Sequence, residues 1–138
     1  PHRWEFRHDH IGYNYRMPNI NAALGCAQLE NLDRYVADKR ETAARYVEFF
    51  KGKEDITFFT EPADCKSNYW LNAVVLKDKA AQLDFLEYTN DHGVMTRPVW
   101  ELMNRLPMFE HCETDGLENT EWLADRVVNI PSSVRLDK

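Results

Sequence analysis

Apolar residues recur at intervals of three and four through residues 19–51, and this spacing predicts a long amphipathic helix. Pro18 stands where the first helical turn tolerates proline, and Gly52 is a suitable C-terminal stop. The predicted helix is about 30 residues long. In a chain of 138 residues, a helix of that length is typical of a connection between two domains.

The two halves of this helix differ in composition. Residues 20–29 are small and nearly uncharged, whereas residues 33–48 carry many acidic and basic side chains. Small side chains let another backbone approach closely, so we expect the first half to be buried on several sides. The charges of the second half predict a solvated face opposite an apolar stripe.

Beyond Gly52 the pattern predicts a small domain over residues 52–138. Strands are predicted at Ile56–Thr60, Asn68–Leu76, Val94–Arg97 and Val127–Ile130. A helix is predicted over Lys79–His92, with its inward face formed by Leu83, Phe85, Leu86 and Tyr88. A last helix, capped by Asn119 or Thr120, is predicted to run to Arg126, and one or two helical turns are predicted around Pro107. The fold class is therefore α/β, a small sheet packed with helices behind a long N-terminal helix.

Composition excludes several classes of function. The net charge of −6 and the scattered basic residues argue against a nucleic-acid surface. No apolar stretch approaches the roughly 18 residues of a membrane span, so we expect no membrane partner. The chain opens at Pro1 without a signal peptide, and its first ten residues resemble the interior of a domain. We therefore expect a fragment of a longer protein.

The cysteines Cys26, Cys65 and Cys112 are too far apart in sequence for a zinc or redox motif. They are typical of reduced thiols in a cytoplasmic protein. His8 and His10 could share one face of a strand and bind a metal, but no second pair of ligands accompanies them. We expect no metal site.

The loop Gly12–Arg16 is the first candidate site. Asn14 offers an amide NH2 group and Arg16 a guanidinium, and both donor types suit a phosphate or a carboxylate. The start of the following helix adds free backbone amides and a partial positive charge. The alternative interpretation is a polar loop that caps the helix, with Tyr13 and Tyr15 packed on the domain.

Arg97 is the second candidate, because it stands at the end of a predicted strand, between Thr96 and Pro98. Loops that follow strands commonly carry the sites of α/β folds. The alternative is a surface arginine beside a core tryptophan, Trp100. No nucleophile and base can be paired, and the common phosphate-binding and hydrolase motifs are absent, so we expect no catalytic residue in the chain.

The stretch Gly12-Tyr13-Asn14-Tyr15-Arg16-Met17-Pro18-Asn19-Ile20-Asn21-Ala22-Ala23-Leu24-Gly25, with Gln28-Leu29, closely resembles a signature of the DegT/DnrJ/EryC1/StrS family of sugar aminotransferases. The resemblance continues through Asn68-Tyr69-Trp70, Gly93-Val94-Met95-Thr96-Arg97-Pro98 and Asn119 to Pro131. Trp4, His8-Asp9, Thr96-Arg97-Pro98 and residues 129–133 look most like the LegC-type branch.

The resemblance implies the C-terminal part of a fold-type I enzyme that works as a homodimer with pyridoxal phosphate. Residues 1–18 would be the end of the large cofactor domain, 19–51 the connecting helix and 52–138 the small domain. The region around residues 11–29 would face the second subunit. Asn14 would reach the cofactor phosphate of that subunit, with Tyr13 and Arg16 lining the same site. Arg97 would face the substrate.

The implied reaction moves an amino group, usually from glutamate, to a nucleotide-linked 4-keto-6-deoxy sugar used in surface-glycan or nonulosonic acid synthesis. The catalytic lysine of the family precedes the matched signature, so the fragment alone is expected to be inactive. The alternative is a non-catalytic domain of the same fold, with a regulatory or sensory role.

Overall fold

The computed structural model describes residues 13–135, which form two compact units, one up to Asp33 and the other from Arg34. His8 and His10, together with Trp4 and Asp9, lie outside the described residues. No helix among residues 13–135 combines the length and the apolar character that a membrane crossing requires.

The helix predicted over residues 19–51 is present as two helices, α1 (Asn19–Glu30) and α2 (Leu32–Phe50), separated by Asn31. Asn31 donates its side-chain Nδ2 to the carbonyl of Ala27 at 2.9 Å, while its backbone N–H bonds the carbonyl of Gln28. A side chain that takes over the carbonyl four residues back competes with the regular helical ladder. The prediction of one uninterrupted helix was therefore wrong, although its end is confirmed, because Gly52 follows α2 with φ +74°.

The sheet of the second unit has four antiparallel strands in the order β1-β2-β4-β3. The strands are β1 (Ile56–Phe58), β2 (Asn72–Leu76), β3 (Arg97–Pro98) and β4 (Val127–Ile130). β4 has the predicted bounds, and β1 lies within its predicted range. The remaining elements are the helices α3 (Lys79–Asp91) and α4 (Glu118–Ala124) and the 3-10 turns Met103–Arg105 and Pro107–Phe109. The turns confirm the irregular region around Pro107.

The core lies on one face of this sheet. Every second residue of β2 and β4 is buried. In the pairing of these two strands, Val74 lies opposite Val128. Phe58 and Ala43 complete the buried cluster, against which aromatic side chains of α2 and part of α3 pack. Alternation thus turns one face of the sheet to the core and leaves the other less covered.

Helix α3 buries a different set of residues from the one predicted. Phe85 and Leu86 pack against the core, but Leu83 and Tyr88 are 54% and 66% exposed. Gln82 is fully buried instead, and its Nε2 donates to the carbonyls of Ala124 and Val127 at 2.9 and 2.8 Å. The amide group replaces apolar packing because it satisfies two backbone carbonyls that would otherwise be buried without partners.

Three predicted boundaries were also wrong. β2 begins at Asn72 rather than Asn68, because Tyr69 has φ +46° and the side chains of Ser67 and Asn68 bond the backbone N–H groups of Tyr69 and Trp70. The last helix follows Leu117, whose φ is +54°, and no side chain caps it, so neither Asn119 nor Thr120 is its cap.

The third boundary is that of β3. It comprises only Arg97 and Pro98 rather than residues 94–97. The N–H of Val94 bonds the carbonyl of Thr89 at 2.8 Å, so this part of the chain closes the end of α3 and is not paired in the sheet. Pro98 fits at this position because β3 is an edge strand.

Candidate functional site

The loop before α1 has a defined internal structure. The N–H of Arg16 donates to Oδ1 of Asn14 at 3.1 Å, which is the bond of an Asx turn. The rings of Tyr13 and Tyr15 have their centroids 6.1 Å apart and are 79% and 90% exposed. The alternative interpretation, in which these rings pack on the domain, is therefore wrong for this chain.

The donors of this loop suit a phosphate group. The Asx turn uses the side-chain carbonyl of Asn14, and its NH2 group has no hydrogen-bond partner among residues 13–135. The guanidinium of Arg16 likewise has no ion pair within that range. Helix α1 begins after Pro18 without a side-chain cap, so its first N–H groups are also available. An amide, a guanidinium and a helix N-terminus are together the chemistry by which proteins hold phosphates.

Helix α1 has no buried residue. It carries no charged side chain before Glu30. Large apolar side chains are exposed along it and just before it: Met17 at 72%, Ile20 at 82%, Leu24 at 62% and Leu29 at 68%. The polar side chains of α1 lie near its two ends, and residues 22–27 between them are all apolar, so this part has no polar side to face water. The expected burial of this half of the helix on several sides is not found among the described residues.

Arg97 lies on the less covered face of the sheet. In the register it pairs with Asn129, which in turn pairs with Ala73 of β2, so the three residues form one row across three strands. Side chains directly opposite each other across an antiparallel pair are in contact range. Asn129 is half-buried and Arg97 is exposed. The row therefore presents a guanidinium beside an amide, and the sequence alone gave no sign that Asn129 would stand there.

The surroundings of Arg97 leave its charge available. Its Nη2 lies 3.3 Å from Sδ of Met95, and no carboxylate pairs with it in the described part of the chain. Trp100 is 88% exposed, so the alternative of an arginine beside a core tryptophan is wrong. An unpaired arginine next to exposed apolar side chains can bind an anion with two parallel hydrogen bonds.

The turn that carries Asn68-Tyr69-Trp70 is fixed by an ion pair that the sequence did not reveal. Arg40 of α2 makes two bonds to the carboxylate of Glu61, at 2.7 and 3.0 Å, and also bonds the carbonyl of Ser67. The Arg40 guanidinium and then the Ser67 N–H lower the pKa of Glu61 to about 2. The guanidinium also lies 5.6 Å from the centroid of the Tyr69 ring, so one arginine fixes both ends of this loop.

Two further expectations can be compared with the structure. Cys26, Cys65 and Cys112 are free and exposed. No group of three or more potential metal ligands occurs among the described residues. Asn14 and Arg97 belong to different compact units, so each is described as a separate candidate.

The antiparallel sheet with its helices matches the C-terminal third of sugar aminotransferases of fold type I. The solved structure of PseC from Helicobacter pylori, an aminotransferase of pseudoaminic acid biosynthesis, superposes with a TM-score of 0.84 at 21% identity, over 99% of this chain and 38% of that one. The sugar aminotransferase CalS13 from Micromonospora echinospora superposes with a TM-score of 0.77 at 25% identity, over 88% and 32% of the two chains.

The sequence identifies the family. Residues 2–138 match the DegT/DnrJ/EryC1/StrS aminotransferase family, and the chain belongs to it. GDP-perosamine synthase of Escherichia coli O157:H7 is 32% identical over 130 residues, which are 93% of this chain and 34% of the relative. GDP-perosamine synthase of Vibrio cholerae is 30% identical over 91% of this chain and 35% of the relative. The chain thus spans about a third of the length of the relatives it matches.

Proposed function

We propose that this chain is the C-terminal part of a pyridoxal-phosphate-dependent enzyme that transfers an amino group to a nucleotide-linked keto sugar. The match of the family over residues 2–138 carries this proposal. The exposed loop and α1 support it, because both present binding chemistry or apolar surface that the chain itself does not use. The amino donor proposed is an amino acid, glutamate by family resemblance.

In the proposed enzyme, residues 1–18 end the large domain, 19–51 connect the domains and 52–138 form the small domain. The region around residues 11–29 is the proposed homodimer contact. There the amide of Asn14 and the guanidinium of Arg16 donate to the cofactor phosphate, and Tyr13 covers the same group. Pyridoxal phosphate, when bound, supplies the electron sink for amino-group transfer. Arg97 binds an anionic group of a substrate.

The more specific proposal is a LegC-type enzyme acting on a UDP-linked 4-keto-6-deoxy amino sugar in the cytoplasm. It rests on the resemblance of Thr96-Arg97-Pro98 and residues 129–133. The relatives named above are GDP-perosamine synthases, so the nucleotide is the point to test. Incubation of the full-length protein with UDP-, GDP- and dTDP-linked keto sugars and glutamate would identify the preferred substrate. Turnover of the GDP-linked sugar alone would contradict the branch assignment.

The decisive experiment for the reaction class uses the full-length protein that contains this chain. We expect the visible absorbance of protein-bound pyridoxal phosphate and the formation of an amino sugar from a nucleotide-linked keto sugar. If neither is observed, the non-catalytic alternative replaces the enzyme. An upstream lysine at the position of the family's catalytic residue is a further requirement of the enzyme proposal.

The role of Asn14 has its own test. Asn14→Ala in the full-length protein should raise the dissociation constant of pyridoxal phosphate about tenfold, because a hydrogen bond to a charged phosphate is lost. Asn119→Ala is the matched control, since Asn119 is an exposed asparagine of α4. If the two variants retain pyridoxal phosphate equally well, Asn14 does not bind the cofactor.

A further inference from the structure

We propose that a cluster of three polar residues, Thr89, Asn90 and Thr96, positions Arg97 for substrate binding; this inference rests on the proposed role of Arg97. The three residues are called the Thr96 cluster below. We treat them as positioning residues, because the hydroxyls of Thr89 and Thr96 and the NH2 group of Asn90 bond one another and backbone groups. Their contribution would be made through the backbone of Arg97, the next residue along the chain.

The cluster joins the end of α3 to the residue that precedes β3. Thr96 is 5% exposed, and its Oγ1 lies 2.6 Å from Oγ1 of Thr89. Nδ2 of Asn90 bonds both Oγ1 and the backbone carbonyl of Thr96, at 3.0 and 3.2 Å. Thr96 is therefore held by its side chain and by its main chain, within one residue of the candidate site.

The direction of each hydrogen bond follows from the number of donors. Oγ1 of Thr89 donates its single hydrogen to the carbonyl of Phe85 at 2.7 Å, so Thr96 must donate to Thr89. Asn90 gives one hydrogen to the carbonyl of Leu86 and the other to Thr96. The chain of bonds runs from Asn90 through Thr96 and Thr89 to Phe85, and every donor in it has a partner.

Arg97 needs this support because β3 is very short. Only Arg97 and Pro98 pair with β4, and Pro98 has no N–H to offer. Before them, Gly93 turns the chain at the end of α3 with φ +75°. Successive residues of a strand point to opposite faces, so a buried Thr96 places Arg97 on the other face, beside Asn129. If Thr96 were released, only the two pairs with β4 would hold Arg97 on this face.

Thr42 provides a matched control within the same chain. Its Oγ1 is buried in α2 but has no hydrogen-bond partner among the described residues. Thr42→Val and Thr96→Val make the same chemical change, the replacement of a buried hydroxyl by a methyl group. Only Thr96→Val breaks hydrogen bonds, so any difference between the two variants measures those bonds rather than the change in side chain.

The test measures kcat and KM for the keto sugar and for the amino donor in the full-length enzyme. We expect Thr96→Val to raise the KM of one substrate roughly fivefold with kcat within about twofold, because about one net hydrogen bond of positioning is lost. Thr96→Ser, which keeps the hydroxyl, should restore the KM, and Thr42→Val should leave it unchanged. A higher KM for the keto sugar would show that Arg97 binds a sugar-linked phosphate, and a higher KM for the amino donor would show that it binds a carboxylate.

A double-mutant cycle separates positioning from general destabilisation. In an Arg97→Ala background, Thr96→Val should have no further effect on KM, since the guanidinium that it orients is gone. An equal loss in both backgrounds would overturn the positioning role. If Arg97→Ala alone leaves both KM values unchanged, the substrate role of Arg97 is wrong. If instead Arg97→Ala raises KM and Thr96→Val does not, the cluster proposal alone is wrong.

Hydrogen exchange provides a readout for a variant that is too unstable for kinetics. The peptide that covers residues 94–98 should exchange faster in Thr96→Val than in Thr42→Val, while the β2 peptide around Val74 should be equally protected in both. Uniform loss of protection would indicate global destabilisation and would contradict a local positioning role.

Discussion

The two compact units of this chain differ in where their stabilising contacts come from. The second unit contains a buried cluster around Val74 and Val128, and its surface loops are fixed by ion pairs. The described part of the first unit, residues 13–33, contains no buried side chain and exposes aromatic and aliphatic residues. The second unit is therefore stabilised by contacts within itself, whereas the described part of the first leaves its apolar side chains exposed.

The same contrast applies to polar groups. In the second unit, the buried side chains of Gln82 and Thr96 bond groups of the same unit, although Oγ1 of Thr42 is among the exceptions. In the first, the NH2 group of the Asn14 side chain and the guanidinium of Arg16 have no partner within residues 13–135. Hydrogen bonds inside the unit fix its structure, whereas exposed donors on a loop face water and are available to a ligand. Four predictions test this comparison, beginning with the largest expected effect.

Removal of the Phe58 ring from the core should have the largest effect on the free energy of unfolding. Phe58 is 6% exposed and stacks with Tyr46, Phe50 and Tyr69. Phe58→Ala should lower the free energy of unfolding by about 3–5 kcal/mol, through lost burial and the cavity left behind. Urea denaturation of the 138-residue chain measures it. Phe49→Ala, at a ring that is 66% exposed, is the control and should cost far less.

A single substitution made in both units provides the second test. Gln82→Leu should cost about 2–4 kcal/mol, because it leaves the buried carbonyls of Ala124 and Val127 without donors. Gln28→Leu, on the exposed α1, should change the free energy of unfolding by less than about 0.5 kcal/mol. Similar losses in the two variants would show that α1 contributes to stability as the core does, and the contrast between the units would fail.

Acid should weaken the second unit through Glu61. Its pKa of about 2 in the folded chain lies below its ordinary value of 4.5, so its ionised form stabilises the fold. This contribution is complete above pH 4.5 and is lost as the pH falls towards 2. Glu61→Gln should remove that part of the pH dependence measured by thermal unfolding. If Glu61→Gln loses stability in acid as much as the parent chain does, the Arg40–Glu61 pair is not the cause of that loss.

The smallest effect on stability is expected in α1. Leu24→Lys should change the free energy of unfolding by less than about 0.5 kcal/mol, because Leu24 is 62% exposed. The same substitution should reduce self-association of the chain in sedimentation experiments, since it places a charge in an exposed apolar surface. If the parent chain is monomeric at high concentration, the apolar surface of α1 does not bind a second copy.

Much of the second unit could be predicted from the alternation of its residues. The strand at Val127–Ile130, the strand that begins at Ile56 and the helix that begins at Lys79 follow from local pattern alone. Two of the errors occur where side chains bond the backbone locally. The Ser67 and Asn68 side chains shorten β2, and the bonds of Asn31 interrupt the long helix. Such bonds depend on rotamers, which a periodic pattern does not contain.

The candidate site was predictable in part. Asn14, Arg16 and Arg97 stand out by residue type and neighbours, and the family signature adds their implied roles. Asn129 does not stand out, because its place beside Arg97 depends on the pairing of β3 with β4 across a separation of about thirty residues in sequence. The Thr96 cluster is hidden for a different reason: its members are close in sequence, but a threonine in a sequence shows no sign of its hydrogen-bond partners.

The fold class, the family and the residues with binding chemistry could be inferred from the sequence, because periodicity, composition and motifs are local properties of the chain. Which residues are buried, and which polar groups are hydrogen-bonded, becomes known from the folded structure. Gln82 rather than Leu83 faces inward, and Arg40 rather than a surface neighbour binds Glu61. Burial and hydrogen bonding depend on distances between residues far apart in sequence, and those distances exist only once the chain has folded.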